Sequence, residues 1–332
     1  FITKQIFDID NTYNLNLYYG DSLKLDIQNE WNIEKFNVIF GNPPYNKELK
    51  RSGATAYYNE FVDKYIDICD YQTFIIPSRW FAGGKGLDKF RKNMLKRTDI
   101  PYITHFDNAS DIFGNNVDIK GGVNYYLKSN NYNGDCIYNG NKIKLNTFDI
   151  LIDSKFYSLV HKLIKYPSIN KLYNGRYFGI ESNDKRLTKD LSDNSLKCYV
   201  SKQKGFIKYI DSKYLKKDYK FWKVITAEAS YKGNSGFGNI FIGELDDVHS
   251  GSYISFQVSN ESEAKSLMSY LSCKLPNLML SLRKISQHIN KNVCKWIPLP
   301  PLDKIWSDSE IFKFYNLNKD DITLIKNINI VG

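Results

Sequence analysis

The chain has 332 residues, 42% hydrophobic and 25% charged, the balance of an ordinary soluble globular protein long enough for two domains. Its net charge of +10 suits a polyanionic partner, while no apolar run approaches the ~20 residues of a membrane span and no signal-peptide pattern is present. Cysteines 69, 136, 198, 273 and 294 are widely spaced without a C-x-x-C, and the four histidines form no H-x-x-x-H. Neither a disulfide framework nor a zinc site is therefore expected, and the chain is expected to be cytoplasmic.

Residues 15–19 (Leu-Asn-Leu-Tyr-Tyr) alternate and stop at Gly20-Asp21-Ser22, which predicts a strand and a polar loop. Asp21 equally suits a helix N-cap. Residues 22–35 form a short crossing segment. Phe36 to Phe40 is short, apolar and rich in β-branched and aromatic residues, so a buried strand is expected. Gly41 then lets the backbone leave the strand sharply, and Pro43 and Pro44 stiffen the turn that follows. Such a turn lies where open α/β sheets hold their ligands.

The turn Asn42-Pro43-Pro44-Tyr45 offers three chemical tools. Asn42 carries an acceptor and donors, the proline carbonyls point outward, and Tyr45 supplies a flat ring. Together they suit an exocyclic amine on a planar heterocycle. Two oxygens accept its N–H groups, and the tyrosine stacks on the ring.

The polar stretch 46–56 is expected to be a mobile loop beside the site, with Lys47, Lys50 and Arg51 facing phosphates. Residues 57–69 carry Tyr58, Phe61, Val62, Tyr65, Ile66 and Cys69 at helical spacing. A strand over 71–76 ends at Pro77-Ser78-Arg79-Trp80-Phe81. Ala82 to Gly86 is glycine-rich without the P-loop pattern, and Leu87 to Leu95 is a basic helix. Residues 100–106 and the second half of 118–128 predict two further strands.

At these residues the chain resembles the Eco57I-like DNA adenine-N6 methyltransferases, which use S-adenosylmethionine. The resemblance rests on the four-residue turn, an instance of their [D/N/S]-P-P-[Y/F/W] signature, and on the string from Pro77 to Arg91. It covers residues 15–130 well and 150–302 loosely. It implies an α/β fold: a Rossmann-like methyltransferase sheet, incomplete at the N-terminus, over residues 1–150, and an α+β target-recognition domain over 151–332. It implies Asn42, Pro43, Pro44 and Tyr45 as catalytic residues. Asp21 would accept from the amino group of the cofactor adenine, Phe61 would pack on that adenine, and Asn42 would border both ligands. Val123 or Tyr125 would give the flipped base a second surface, and Lys47 and Arg51 would contact DNA.

From residue 135 the composition shifts. Asn139-Gly140 marks a hairpin, and a helix is expected over 154–165. Short strands follow, interleaved with aromatics and lysines, as in Lys202-Gln203-Lys204 and Lys216-Lys217, a pattern suited to reading DNA. Helices are expected at 261–275, 277–290 and 319–327. Trp296 to Leu302 (Trp-Ile-Pro-Leu-Pro-Pro-Leu) resembles the segment closing the family's recognition region and is assigned a structural job.

The glycine-rich cofactor loop of this family is not found ahead of Asp21, where twenty residues cannot hold two βα units of about 30 residues each. A longer enzyme, a separate chain supplying the cofactor half, or a remnant is expected. The expected partners are double-stranded DNA, a restriction endonuclease or that separate chain. The rival readings are a catalytically silent DNA-recognition subunit and an enzyme methylating RNA or protein glutamine with the same turn.

Overall fold

The computed structural model describes residues 10, 12, 15–48, 53–84, 86–114, 117–229 and 236–328. Its contacts divide the chain into two compact units, Phe1–Ser154 and Lys155–Gly332.

The first unit departs at once from expectation. Residues 15–19 form no strand. Alternation makes a strand only where a neighbour completes the ladder, and none of the described strands pairs with this stretch. Asp21 instead caps a 3-10 turn, Ser22–Lys24, its Oδ1 accepting from Leu23 N at 3.1 Å. A short helix α1 (Ile27–Trp31) follows, capped in the same way by Asp26.

The centre of the unit is a parallel βαβ step. Strand β1 (Phe36–Gly41) leads through a hairpin, β2 (Asn46–Glu48) and β3 (Ala54–Ala56), into helix α2 (Tyr58–Tyr65) and then β4 (Cys69–Pro77). Strands β1 and β4 are parallel, with Val38 opposite Tyr71. Helix α2 stops short of the expected Cys69 because Ile68 O already accepts from Phe36 N at 2.9 Å, so the chain has joined the sheet. Next come α3 (Asp88–Lys96), β5 (Tyr102–Phe106), α4 (Ser110–Phe113), β6 (Val123–Ser129), β7 (Cys136–Tyr138) and β8 (Asn141–Ile143). The sheet order is β1-β4-β6-β5-β7-β8. Only β1–β4 and β5–β7 pair in parallel, so the sheet is mixed. The Asn139-Gly140 turn, both residues at positive φ, closes the β7–β8 hairpin as its sequence requires.

The apolar composition of β1 predicted burial, but it is an edge strand, with Val38 54% and Phe40 77% exposed. Parallel strands are ordinarily covered on both faces. Composition reports what a strand tolerates, and its neighbours decide what is covered.

An aromatic wedge ties the helices to the sheet. Trp80, fully buried, meets Phe81 and Phe90 edge-on at 4.8 and 5.7 Å, and Phe90 meets Tyr58 at 6.0 Å. Phe81 continues the chain of rings to Tyr138 at 5.9 Å. The segment after β4, helix α3 and the start of α2 are thereby locked together.

The second unit begins with α5 (Tyr157–Leu163). Its strands are β9 (Tyr173–Gly175), β10 (Ser195–Tyr199), β11 (Ile207–Asp211), β12 (Trp222–Ala227), β13 (Ile240–Gly243), β14 (Val248–His249) and β15 (Tyr253–Val258). They form two sheets, β11-β10-β14 and β13-β12-β15-β9. Helices α6 (Glu261–Leu271), α7 (Lys274–Arg283), α8 (Asp308–Phe314) and α9 (Lys319–Lys326) complete it. Helix α8 was not foreseen, although Ser307-x-x-Glu310 is a capping box that announces it. The Trp296–Leu302 segment does staple the unit: Ile297 O accepts from Ile169 N at 3.1 Å and Leu299 N donates to Pro167 O at 2.6 Å.

Lys223, fully buried on β12, is caged by the carbonyls of Tyr219, Glu244, Leu245 and Asp247 at 2.7–3.3 Å. Charge is unevenly shared between the units: the first has 18 Lys and Arg against 19 Asp and Glu, the second 28 against 17. None of the described helices is long and apolar enough to cross a membrane.

Candidate active site

At the carboxyl end of β1 the chain runs on through Asn42-Pro43-Pro44-Tyr45; Gly41 stays in the strand opposite Phe74 and residues 42–45 show neither a hydrogen-bonded turn nor a bend, so the sharp turn expected there is an extended segment, as two prolines favour. Pro43 is buried, Tyr45 half-buried, and Asn42 and Pro44 exposed. The segment is anchored behind, where Tyr45 O accepts from Tyr57 N at 3.0 Å, joining it to the start of α2. The Asn42 side chain lies beside the Tyr45 phenol. Burial pushes the Tyr45 pKa up, and the Asn42 side chain pulls it back in part. The phenol oxygen is buried and makes no hydrogen bond of standard geometry.

Tyr45 forms part of the wall of a cavity of about 220 Å³. Its other lining residues include Tyr58 from α2, Ala54 and Ala56 from β3, Pro77 and Arg79 after β4, and Asp118 to Lys120 before β6. The expected loop at 46–56 is in fact a hairpin, with Asn46 opposite Ala56 and Lys47 opposite Thr55. Strand β2 is wholly polar, and the alternation of Ala54-Thr55-Ala56 in β3 is too short to mark a ladder by itself.

The wall at Pro77-Ser78-Arg79 is fixed by a fully buried asparagine. Asn124 Nδ2 donates to Ile76 O and to Ser78 Oγ, both at 3.1 Å, and Ser78 N donates to Gly122 O at 3.0 Å. Gly122 sits at φ +71°, and an added Cβ there would meet Phe106 O at 2.0 Å. The two strand ends bordering the cavity are thus held without tolerance for bulk.

Asp21 and Phe61 are both organised by α2. Lys64 Nζ donates to Leu23 O and Leu25 O, each at 2.7 Å, and the Tyr65 hydroxyl donates to Ser22 O, so the turn capped by Asp21 is docked on the helix. Tyr58, Val62 and Tyr65 are buried, but Phe61 is only half-buried and meets Tyr57 edge-on at 5.3 Å. The Asp21 carboxylate, exposed at the cap of the docked turn, and the half-buried Phe61 ring on α2 are the residues that could hold a purine.

The remaining sequence candidates are distributed otherwise. Val123 is buried opposite Pro77, whereas Tyr125 is exposed, tilted against Phe106 at 6.0 Å; neither lines the Tyr45 cavity. Lys47 lies over the Tyr57 ring at 4.9 Å. Arg51 lies outside the described residues. Sequence reasoning gave no role to Tyr58, Arg79 or Asp118. Arg79 carried the only available signal, a cation directly after a strand-ending proline.

An asparagine, two prolines and a tyrosine thus follow the end of β1, the tyrosine lining a cavity of about 220 Å³. Residues 3–113 match the family model described as "Eco57I restriction-modification methylase". A Mycoplasma pneumoniae protein described as an uncharacterized adenine-specific methylase is 34% identical over 126 residues, covering 36% of this chain and 30% of that protein. Together these support an Eco57I-like adenine methyltransferase. Among solved structures, the type IIG restriction endonuclease BpuSI matches over 93% of this chain and 50% of its own, at 12% identity and TM-score 0.41. The type IIL restriction-modification enzyme MmeI, solved with DNA, matches over 87% and 48%, at 12% identity and TM-score 0.43. The match thus spans under a third of the curated relative's length and about half of each of these enzymes.

Proposed function

We propose that the chain transfers a methyl group from S-adenosylmethionine to adenine N6 in double-stranded DNA, within a restriction-modification or orphan methylation system. The observation that carries this reading is the Asn42–Tyr45 segment, whose Tyr45 lines a cavity sized for one planar base. The target adenine leaves the duplex at a cost of a few kcal/mol of lost stacking and pairing. Tyr45 stacks on its ring. The Asn42 side-chain oxygen and the Pro43 carbonyl accept the two N6–H bonds, holding the lone pair in line with the methyl donor. Asp21 and Phe61 hold the cofactor adenine, with Asn42 bordering both ligands. When bound, the cofactor would supply an electrophilic methyl group, its sulfonium leaving as a neutral thioether while N6 loses one proton to water, and Lys47 would meet a phosphate. The first unit would represent a Rossmann-like catalytic domain, and the strongly basic second unit a target-recognition domain. Val38 and Phe40, exposed on β1, which has no second neighbour among the described strands, support a further chain supplying the cofactor half, and a restriction endonuclease is the other partner of this reading.

The test is isothermal titration of S-adenosylmethionine into the chain, followed by mass spectrometric detection of N6-methyladenine in duplex DNA. Saturable binding with product supports the enzyme. Neither binding nor product, with duplex binding retained, would convert the reading to a silent DNA-recognition subunit. Tyr45→Ala is expected to weaken binding to a duplex mismatched at the target base by about 1–3 kcal/mol, the range of base–aromatic stacking. Unchanged affinity in a competition assay would remove Tyr45 from that role.

A further inference from the structure

We propose that Arg79 anchors a phosphate of the nucleotide whose base enters the Tyr45 cavity. The inference rests on the base-pocket reading and adds a residue to it.

Six arginines are described, and five have a partner. Arg91 bonds Asp88 and Gly83 O, Arg97 bonds Asp67 and Asp99, Arg176 pairs with Glu228, Arg186 with Asp184, and Arg283 bonds Asn292. Arg79 makes no ion pair and no side-chain hydrogen bond among the described residues, and it is exposed while lining the cavity. A free guanidinium on a mobile loop would mean little, but this one stands on a fixed base. Its neighbours Ser78 and Trp80 are buried, and Arg79 O accepts from Gly83 N at 2.8 Å. A Cβ added at Gly83 would fall 2.6 Å from Arg79 O and 2.8 Å from Arg79 Cγ. Gly83 therefore lets the backbone close over the stem of the arginine, whose head lies near the Tyr58 phenol with no ion pair or side-chain hydrogen bond among the described residues.

The cavity wall is mixed, mainly apolar with a few polar groups. Tyr58, 1% exposed, lines it with a phenol oxygen that has no hydrogen bond of standard geometry; the Trp80 backbone N–H approaches without completing one. Asp118 and Lys120 are the other charged residues of the wall. At about 220 Å³ the cavity is below the ~300–1,000 Å³ of drug-sized sites, so it suits a single base with sugar and phosphate left outside. An exposed guanidinium there meets the phosphate, and its planar fork matches phosphate oxygens two at a time.

The test is isothermal titration of the chain with 2′-deoxyadenosine and with 2′-deoxyadenosine 3′,5′-bisphosphate, in the wild type, Arg79→Gln and Arg79→Lys. The bisphosphate is expected to bind about tenfold tighter than the nucleoside, the scale of one charge-assisted hydrogen bond. Arg79→Gln should remove most of that advantage, and Arg79→Lys should keep part of it. Equal binding of both probes by the wild type, or an undiminished advantage in Arg79→Gln, overturns the anchor while the base pocket stands. Binding of neither probe by the wild type overturns both.

Discussion

Asn42→Ala lowers the rate of methyl transfer by about 10²–10³-fold, the usual cost of deleting one preorganised polar group that acts on developing charge. Asn42 is an exposed member of the segment and its side chain touches only the Tyr45 phenol region, so its removal leaves no hole in the core. Duplex affinity should stay within about twofold, because affinity for DNA is set chiefly by phosphate contacts. Single-turnover assays with N6-methyladenine as the readout separate the two quantities. A loss of less than about tenfold would mean that the segment is architectural and that another residue polarises the amine.

Trp80→Ala destabilises the first unit by about 3–5 kcal/mol, the range for emptying a buried aromatic site. Trp80 is fully buried and is the ring through which Phe81 and Phe90 are joined, so its loss leaves a void between α3 and the segment after β4. Because the chain has two compact units, urea unfolding should be followed by more than one probe, and the loss assigned to the transition that shifts. Trp80→Phe should recover much of the difference. A shift below about 1 kcal/mol would show that the wedge repacks without it.

How much of this was legible depended on whether the signal was local. The end of β1 was legible because Pro43 and Pro44 cannot extend a ladder, but the sharp turn expected after Gly41 is an extended segment instead. The β7–β8 hairpin was equally plain, because Asn139-Gly140 supplies the positive φ angles that the turn needs. The burial of β1 was misread because it depends on a neighbour that Phe36–Phe40 cannot name. The expected strand at 15–19 failed for the same reason. The β2–β3 hairpin was hidden because Asn46-Lys47-Glu48 has no apolar face. Cavity walls such as Tyr58, Arg79 and Asp118 come from three separate elements, and no spacing along the chain brings them together. Arg79 stood inside the string that carried the resemblance, but its lack of an ion pair among the described residues became visible only beside the five other described arginines, which have partners.

The division of charge has a kinetic consequence. The near-neutral first unit and the second unit's surplus of cations should respond differently to ionic strength. Capture of a polyanion weakens as a power of salt concentration, with an exponent set by the number of phosphates neutralised. Chemistry within a cavity shielded from bulk ions does not share that exponent. Raising salt should therefore raise KM steeply while leaving kcat nearly level. Ionic strength would then regulate how long the chain dwells on a duplex and how far it diffuses along it, with little effect on the reaction once a base is seated.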